Sequence, residues 1–127
     1  MRVLALDHGA ARCGAAVSDP TGTVATPLEP VQRPDTRKGL RRVVELAGET
    51  EAERVVVGLP VGLSGRDTDQ TRAARAFASR LEDALDVPVE VYDERFTTRI
   101  AAKKGGRAAE DSRAAAVLLE DWLARHA

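Results

Sequence analysis

A change of period near residue 35 constrains this chain more than any other feature. Before it, short apolar runs are joined by turn-forming residues. After it, helical spacing alternates with single apolar runs. Val3-Leu4-Ala5-Leu6 reads as a strand buried on both faces, and it ends in Asp7. Gly9 permits a tight turn, and Cys13 to Val17 returns beside the first run. Asp19-Pro20-Thr21-Gly22 is a strong turn signal, followed by a third strand over about Val24 to Val31. Pro27 and Pro30 lack an N–H, so that strand belongs at a sheet edge or is irregular at its end. Leu40, Val43, Val44 and Ala47 then recur at helical spacing, predicting a helix from about Thr36 to Thr50. Arg54 to Gly58 reads as a buried strand, and Ala74, Phe77, Ala78, Leu81 and Leu85 mark a second helix with cap candidates from Asp67 to Asp69. Val87 to Tyr92 is a fifth strand carrying Asp93-Glu94-Arg95 at its end, and a last helix runs from about Asp111 to Ala124.

Three hairpin-linked strands followed by α, β, α, β, α predict an α/β fold. Its mixed five-stranded sheet has strands 1–3 antiparallel and strands 1, 4 and 5 parallel, with flanking helices. The order resembles the ribonuclease H-like fold, which actin-like ATPase domains share, so fold alone leaves function open. The 127 residues suit one domain, 1–127, with no repeat or linker. Only 3% are aromatic, so Val, Leu and Ala must fill the core. A single cysteine, Cys13, rules out an internal disulfide and reads as a buried thiol in a reducing compartment. Met1-Arg2 runs straight into the first strand without a signal-peptide core, and no apolar run nears the ~20 residues of a membrane span. The expectation is a cytoplasmic, soluble protein without a membrane partner.

Net charge is −1, which advertises no nucleic-acid partner, but the distribution is uneven. Arg95, Arg99, Lys103, Lys104 and Arg107 lie in a stretch without acids; Arg33, Arg37, Lys38, Arg41 and Arg42 face only Asp35. Such clusters are either phosphate-contacting patches or solvated faces.

Three acids fall where they would converge. Asp7 ends the first strand, and Glu94 lies just past the fifth, which points its C-terminal end the same way. Asp111 opens the last helix on the face of Ala115, Leu118 and Trp122, which must be buried. Carboxylates gathered at one edge raise each other's pKa unless a hard cation such as Mg2+ or Mn2+ neutralises them. Two such ions roughly 4 Å apart activate water and stabilise a leaving oxygen in phosphodiester hydrolysis. The alternative is structural: Asp111 as a helix N-cap and Glu94 paired with Arg95 or Arg99. His8 is a turn residue or a ligand contact, Ser18-Asp19 a turn cap or part of the site, and Thr97-Thr98 a phosphate donor or the N-cap of a short helix. Without a His/Cys cluster, zinc is not expected.

Five motifs in order resemble the YqgF family, whose members are described as Holliday junction resolvases and as nucleases maturing pre-16S ribosomal RNA. They are Leu6-Asp7-His8-Gly9, Arg12 to Pro20, Val56 to Pro60 with Gly65 and Arg75 to Ala78, Asp93 to Thr98, and Glu110 to Leu119. The resemblance spans essentially the whole chain. It implies a metal-dependent endonuclease with Asp7, Glu94 and Asp111 as catalytic metal ligands for Mg2+ or Mn2+. It also implies that Arg95, Thr97, Thr98, Lys103, Lys104 and Arg107 contact nucleic acid, either structured RNA or branched DNA. The family stretch between the Thr-Thr pair and the final aspartate is compressed here to Arg99 through Glu110, with Gly105-Gly106 in its middle. The leading expectation is pre-16S rRNA maturation. The alternatives are a Holliday junction resolvase, which would act as a dimer, a non-catalytic ribosome-assembly module and one lobe of an ATPase. Monomer and homodimer both remain open, with Trp122 and Leu123 as candidate dimer contacts.

Overall fold

A computed structural model describes residues 1–60, 65–93 and 107–126, with side chains from 112 onward in the last segment. The strands are β1 (Val3–Asp7), β2 (Arg12–Ser18), β3 (Ala25–Gln32), β4 (Arg54–Leu59) and β5 (Val89–Asp93). The helices are α1 (Arg37–Glu49), α2 (Asp69–Ala84) and α3 (Arg107–His126). The sheet order is β3-β2-β1-β4-β5, with β1 central. β1 runs antiparallel to β2 and parallel to β4, and β4 runs parallel to β5. This is the mixed sheet that the element order predicts. β3, with its two prolines, takes an outer edge, and its register against β2 shifts between Cys13 and Ala15.

Strand alternation explains why both faces of β1 are apolar. Leu4 and Leu6 join a core beneath α1 and α2, around Val43, Val55, Val57, Phe77 and Leu81. Val3 and Ala5 point the other way, to Val56 and the α3 residues Ala115, Leu118, Leu119 and Trp122. With so few aromatics, many fully buried aliphatic side chains hold the sheet, each worth about 1.5–3 kcal/mol. Cys13 is buried, as expected.

Local signals set the boundaries. Thr36 caps α1 by accepting from Gly39 N, and Thr68 with Thr71 forms a reciprocal capping box on α2. Gly22 has φ +71 in the turn after β2, where a side chain would be strained. α3 starts a turn earlier than its apolar spacing indicates, at Arg107. Asp111 therefore lies within the helix rather than at its N-cap, which corrects that reading. No described helix is long and apolar enough to cross a membrane.

Candidate active site

Asp7 stands at the C-terminal end of β1, partly buried. As an odd-numbered residue of β1 it faces α3, like Val3 and Ala5. Its partner across β2 is Gly14. On the other side, Leu6 pairs with Val57, so Gly58 is the next neighbour along β4, and Gly58 pairs with Tyr92 of β5. Both strands flanking Asp7 thus carry a residue without a side chain at that level. The carboxylate sits in a notch of the sheet edge, and it engages other groups there. Its charge reaches the neighbouring core: burial first, then Asp7 and Asp35, push the Cys13 thiol well above its ordinary pKa.

The helix that carries Asp111 is tied to the same place. Ser112 is fully buried. Its hydroxyl accepts from Ala15 N at 3.2 Å and donates to Leu28 O. Ala15 follows Gly14, the partner of Asp7, and lies where the β2–β3 register shifts. Ser112 thus bridges Ala15 and Leu28, the pair at which the β2–β3 ladder resumes after the shift. Sequence reasoning missed this serine. Its signal is a hydroxyl on an apolar helix face that offers no water. Further along α3, the Tyr92 hydroxyl donates to Asp121 Oδ2 at 2.6 Å, and Arg125 Nε donates to the same oxygen at 3.1 Å. β5 and α3 are therefore locked together on the Asp7 face.

His8 faces the opposite layer. Its side chain is 3% exposed, its Nε2 lies 2.8 Å from Asp35 Oδ1, and its ring packs 4.8 Å from that of Phe77. Arg80 also donates to Asp35 Oδ1, at 2.9 Å. His8 is thus a packed strut between the loop after Asp7 and the corner before α1. Ser18 and Asp19 do not line the site: they stand at the far end of the sheet. Ser18 Oγ accepts from Val3 N at 2.8 Å. Asp19 takes bonds from Thr21 and from the backbone of Val24 and Thr23, which hold its carboxyl well below the usual range. Trp122 and Leu123 do not form an exposed dimer patch either. Trp122 is 5% exposed, inside the α3 core, and Leu123 packs against that core.

Glu94, Arg95, Thr97, Thr98, Lys103 and Lys104 lie outside the described residues. So do the side chains of Asp111 and Arg107, whose backbones are in α3. Among the described residues no group of three His, Cys, Asp or Glu would hold a metal ion, and of the three acids only Asp7 belongs to that set. A hard carboxylate oxygen in a notch with glycine on both sides suits a small divalent cation.

A family model described as "RuvX: Holliday junction resolvase" matches residues 1–125. A protein of Anaeromyxobacter dehalogenans (strain 2CP-C), named "Putative pre-16S rRNA nuclease", is 40% identical over 136 aligned positions, covering 100% of this chain and 99% of that protein. One of the same name from Clavibacter michiganensis subsp. michiganensis is 49% identical over 96 positions, covering 75% of this chain and 60% of that protein. Among solved structures, Thermus thermophilus RuvC in complex with a Holliday junction substrate aligns with a TM-score of 0.64 at 18% identity, covering 99% of this chain and 95% of that one. A second Thermus thermophilus RuvC structure aligns with a TM-score of 0.62 at 19% identity, covering 99% and 96%. At such identity the likeness is one of fold, and that fold is ribonuclease H-like. The motif order, the sheet topology and a family match over nearly every residue agree: this chain belongs to the RuvX (YqgF) family.

Proposed function

We propose that the chain is a divalent-cation-dependent endonuclease acting on structured nucleic acid, with precursor 16S rRNA as its substrate. The observation that carries this reading is the Ser112 anchor. It ties the helix bearing Asp111 to β2 one residue from Gly14, the partner of Asp7. Tyr92, two residues before Glu94 in the sequence, faces α3. Asp7, Glu94 and Asp111 would then hold the cation. The bound cation would supply charge neutralisation and a water of lowered pKa. Arg95, Thr97, Thr98, Lys103, Lys104 and Arg107 would contact the phosphate backbone, which positions a strand without reading its sequence.

The names of the relatives at full-length coverage favour rRNA as the substrate. The description of the family model favours a second reading, a Holliday junction resolvase. Cutting two opposed strands of a junction calls for a pair of active sites, and hence a homodimer. The test is cleavage of end-labelled precursor 16S rRNA and of a four-way DNA junction, with and without Mn2+. Expected is Mn2+-dependent RNA cleavage that falls at least ~100-fold in Asp7→Asn, since even outer-shell partners of a metal are worth 10–100-fold. Full activity in Asp7→Asn, or in the absence of any divalent ion, would refute the mechanism. Cleavage of the junction alone would select the second reading.

A further inference from the structure

We propose that the cleft between the outer edge of β3 and α1 is a second nucleic-acid site, binding the phosphodiester backbone of a strand that runs on past Asp7. The inference rests on the nuclease reading and extends it to a surface with no assigned role. The cleft has a volume of about 650 Å³, far more than one phosphate needs. Pro30 and Val31 contribute to its floor, and Arg33, Lys38, Arg41 and Arg42 surround it. The chain as a whole has 19 bases against 20 acids, so this concentration is local. Three of these four cations are also without an ion-pair partner among the described residues, whereas Arg42 pairs with Glu45 of the cleft wall. Asp35, the only acid from Arg33 to Arg42, is taken up by His8 and Arg80. Glu45 and Glu49 pair with Arg42 and bound the positive stretch toward the C-terminal end of α1. Among the described residues Arg33, Lys38 and Arg41 form no ion pair, and all three are exposed. Lys38 and Arg41 are three residues apart on α1, so they share one face.

The cleft opens at the edge where Asp7 stands. Arg33 N donates to Ala11 O at 2.9 Å, joining this corner to the β1–β2 loop that follows Asp7. The contact of His8 with Asp35 makes a second tie. The unpaired cations thus stand at the same sheet edge as Asp7 but on the α1 face, so a strand cut at Asp7 would meet them by passing around that edge. A long cleft with Arg33, Lys38 and Arg41 spread along it, beside Gln32, Thr36 and the Arg42-paired Glu45, suits a repeating phosphate backbone rather than one small anion.

The test is fluorescence anisotropy of a labelled RNA hairpin across a KCl series, with Ca2+ in place of Mn2+. Lys38→Ala/Arg41→Ala is expected to lower the slope of log affinity against log salt by about two, near one for each phosphate that is no longer neutralised. Arg2→Ala/Arg125→Ala removes the same charge at the far end of the sheet and is expected to leave the slope unchanged. With Mn2+ and saturating RNA the first variant should retain the wild-type maximal rate, with a raised KM. Both pairs are exposed or partly exposed, and circular dichroism verifies folding. Equal slopes in the wild type and Lys38→Ala/Arg41→Ala, in a protein that binds and cuts RNA, overturn this site alone. A wild-type protein that neither binds nor cuts nucleic acid overturns the nuclease reading with it.

Discussion

Ser112→Ala should weaken the fold and the site together. The hydroxyl is fully buried and makes two bonds, accepting from Ala15 N at 3.2 Å and donating to Leu28 O. Alanine fits the space but removes both bonds, one from the buried Ala15 N–H and one to the partly buried Leu28 C=O. Losing the bond to the fully buried Ala15 N–H costs about 1–3 kcal/mol, and losing the one to the partly buried Leu28 carbonyl about 1 kcal/mol more. The expected loss is about 2–4 kcal/mol, a large share of the ~5–15 kcal/mol typical of a domain. Unfolding entropy near 2.1 cal/mol/K per residue turns a 3 kcal/mol loss into a drop in Tm of about 11 °C. Urea unfolding followed by Trp122 reads the loss on the same helix, and it is the protein's only tryptophan. Ser79→Ala, on the exposed face of α2, should stay within about 0.5 kcal/mol. If Ser112→Ala matched Ser79→Ala, the serine would not be the tie between α3 and β2. The geometric support for placing Asp111 beside Asp7 would then be lost.

Gly39→Ala sets two principles against each other. Helix propensity favours alanine by about 1 kcal/mol, but its Cβ would fall 1.9 Å from Arg33 O and 2.8 Å from Pro34 Cα. These are backbone atoms that no rotamer change moves, so net destabilisation of at least about 2 kcal/mol is expected in thermal unfolding, and a raised Tm would contradict the packing. Tyr92 supplies a pH signature. Burial first, then the bond to Asp121, push its pKa from 10.0 up to about 12. The folded state therefore holds this proton more tightly than the unfolded one. The stabilisation is intact below pH 10.0 and is lost as pH rises toward about 12. The stability difference between the wild type and Tyr92→Phe should shrink across that window in urea titrations, and a constant difference would rule out this linkage.

Much of the architecture was legible because its signals are local. Apolar runs, turn residues and helical spacing depend on neighbours a few positions away, so five strands, three helices and the edge place of β3 could be read in order. The acidic character of the strand end at Asp7 and the burial of Cys13 followed from the same runs. The start of α3 was not legible: its first turn, from Arg107 to Glu110, carries no apolar stripe, and helical spacing begins to show only at Asp111. Ser18-Asp19 and Trp122 were ambiguous for another reason. A polar pair after a strand, or an aromatic on a helix, reads alike whether it faces solvent or core.

The sequence by itself determined the order of elements, the mixed sheet and the carboxylate that ends its central strand. Tertiary structure decided which groups meet across long separations. Ser112 reaches Ala15 across 97 positions, and Arg80 reaches Asp35 across 45. Those contacts tie α3 to β2 beside Gly14, the partner of Asp7, and take Asp35 away from Lys38 and Arg41 of α1. Local composition cannot specify them, because each depends on how two layers close over one sheet, and that closure is set by packing of the whole core rather than by any single segment.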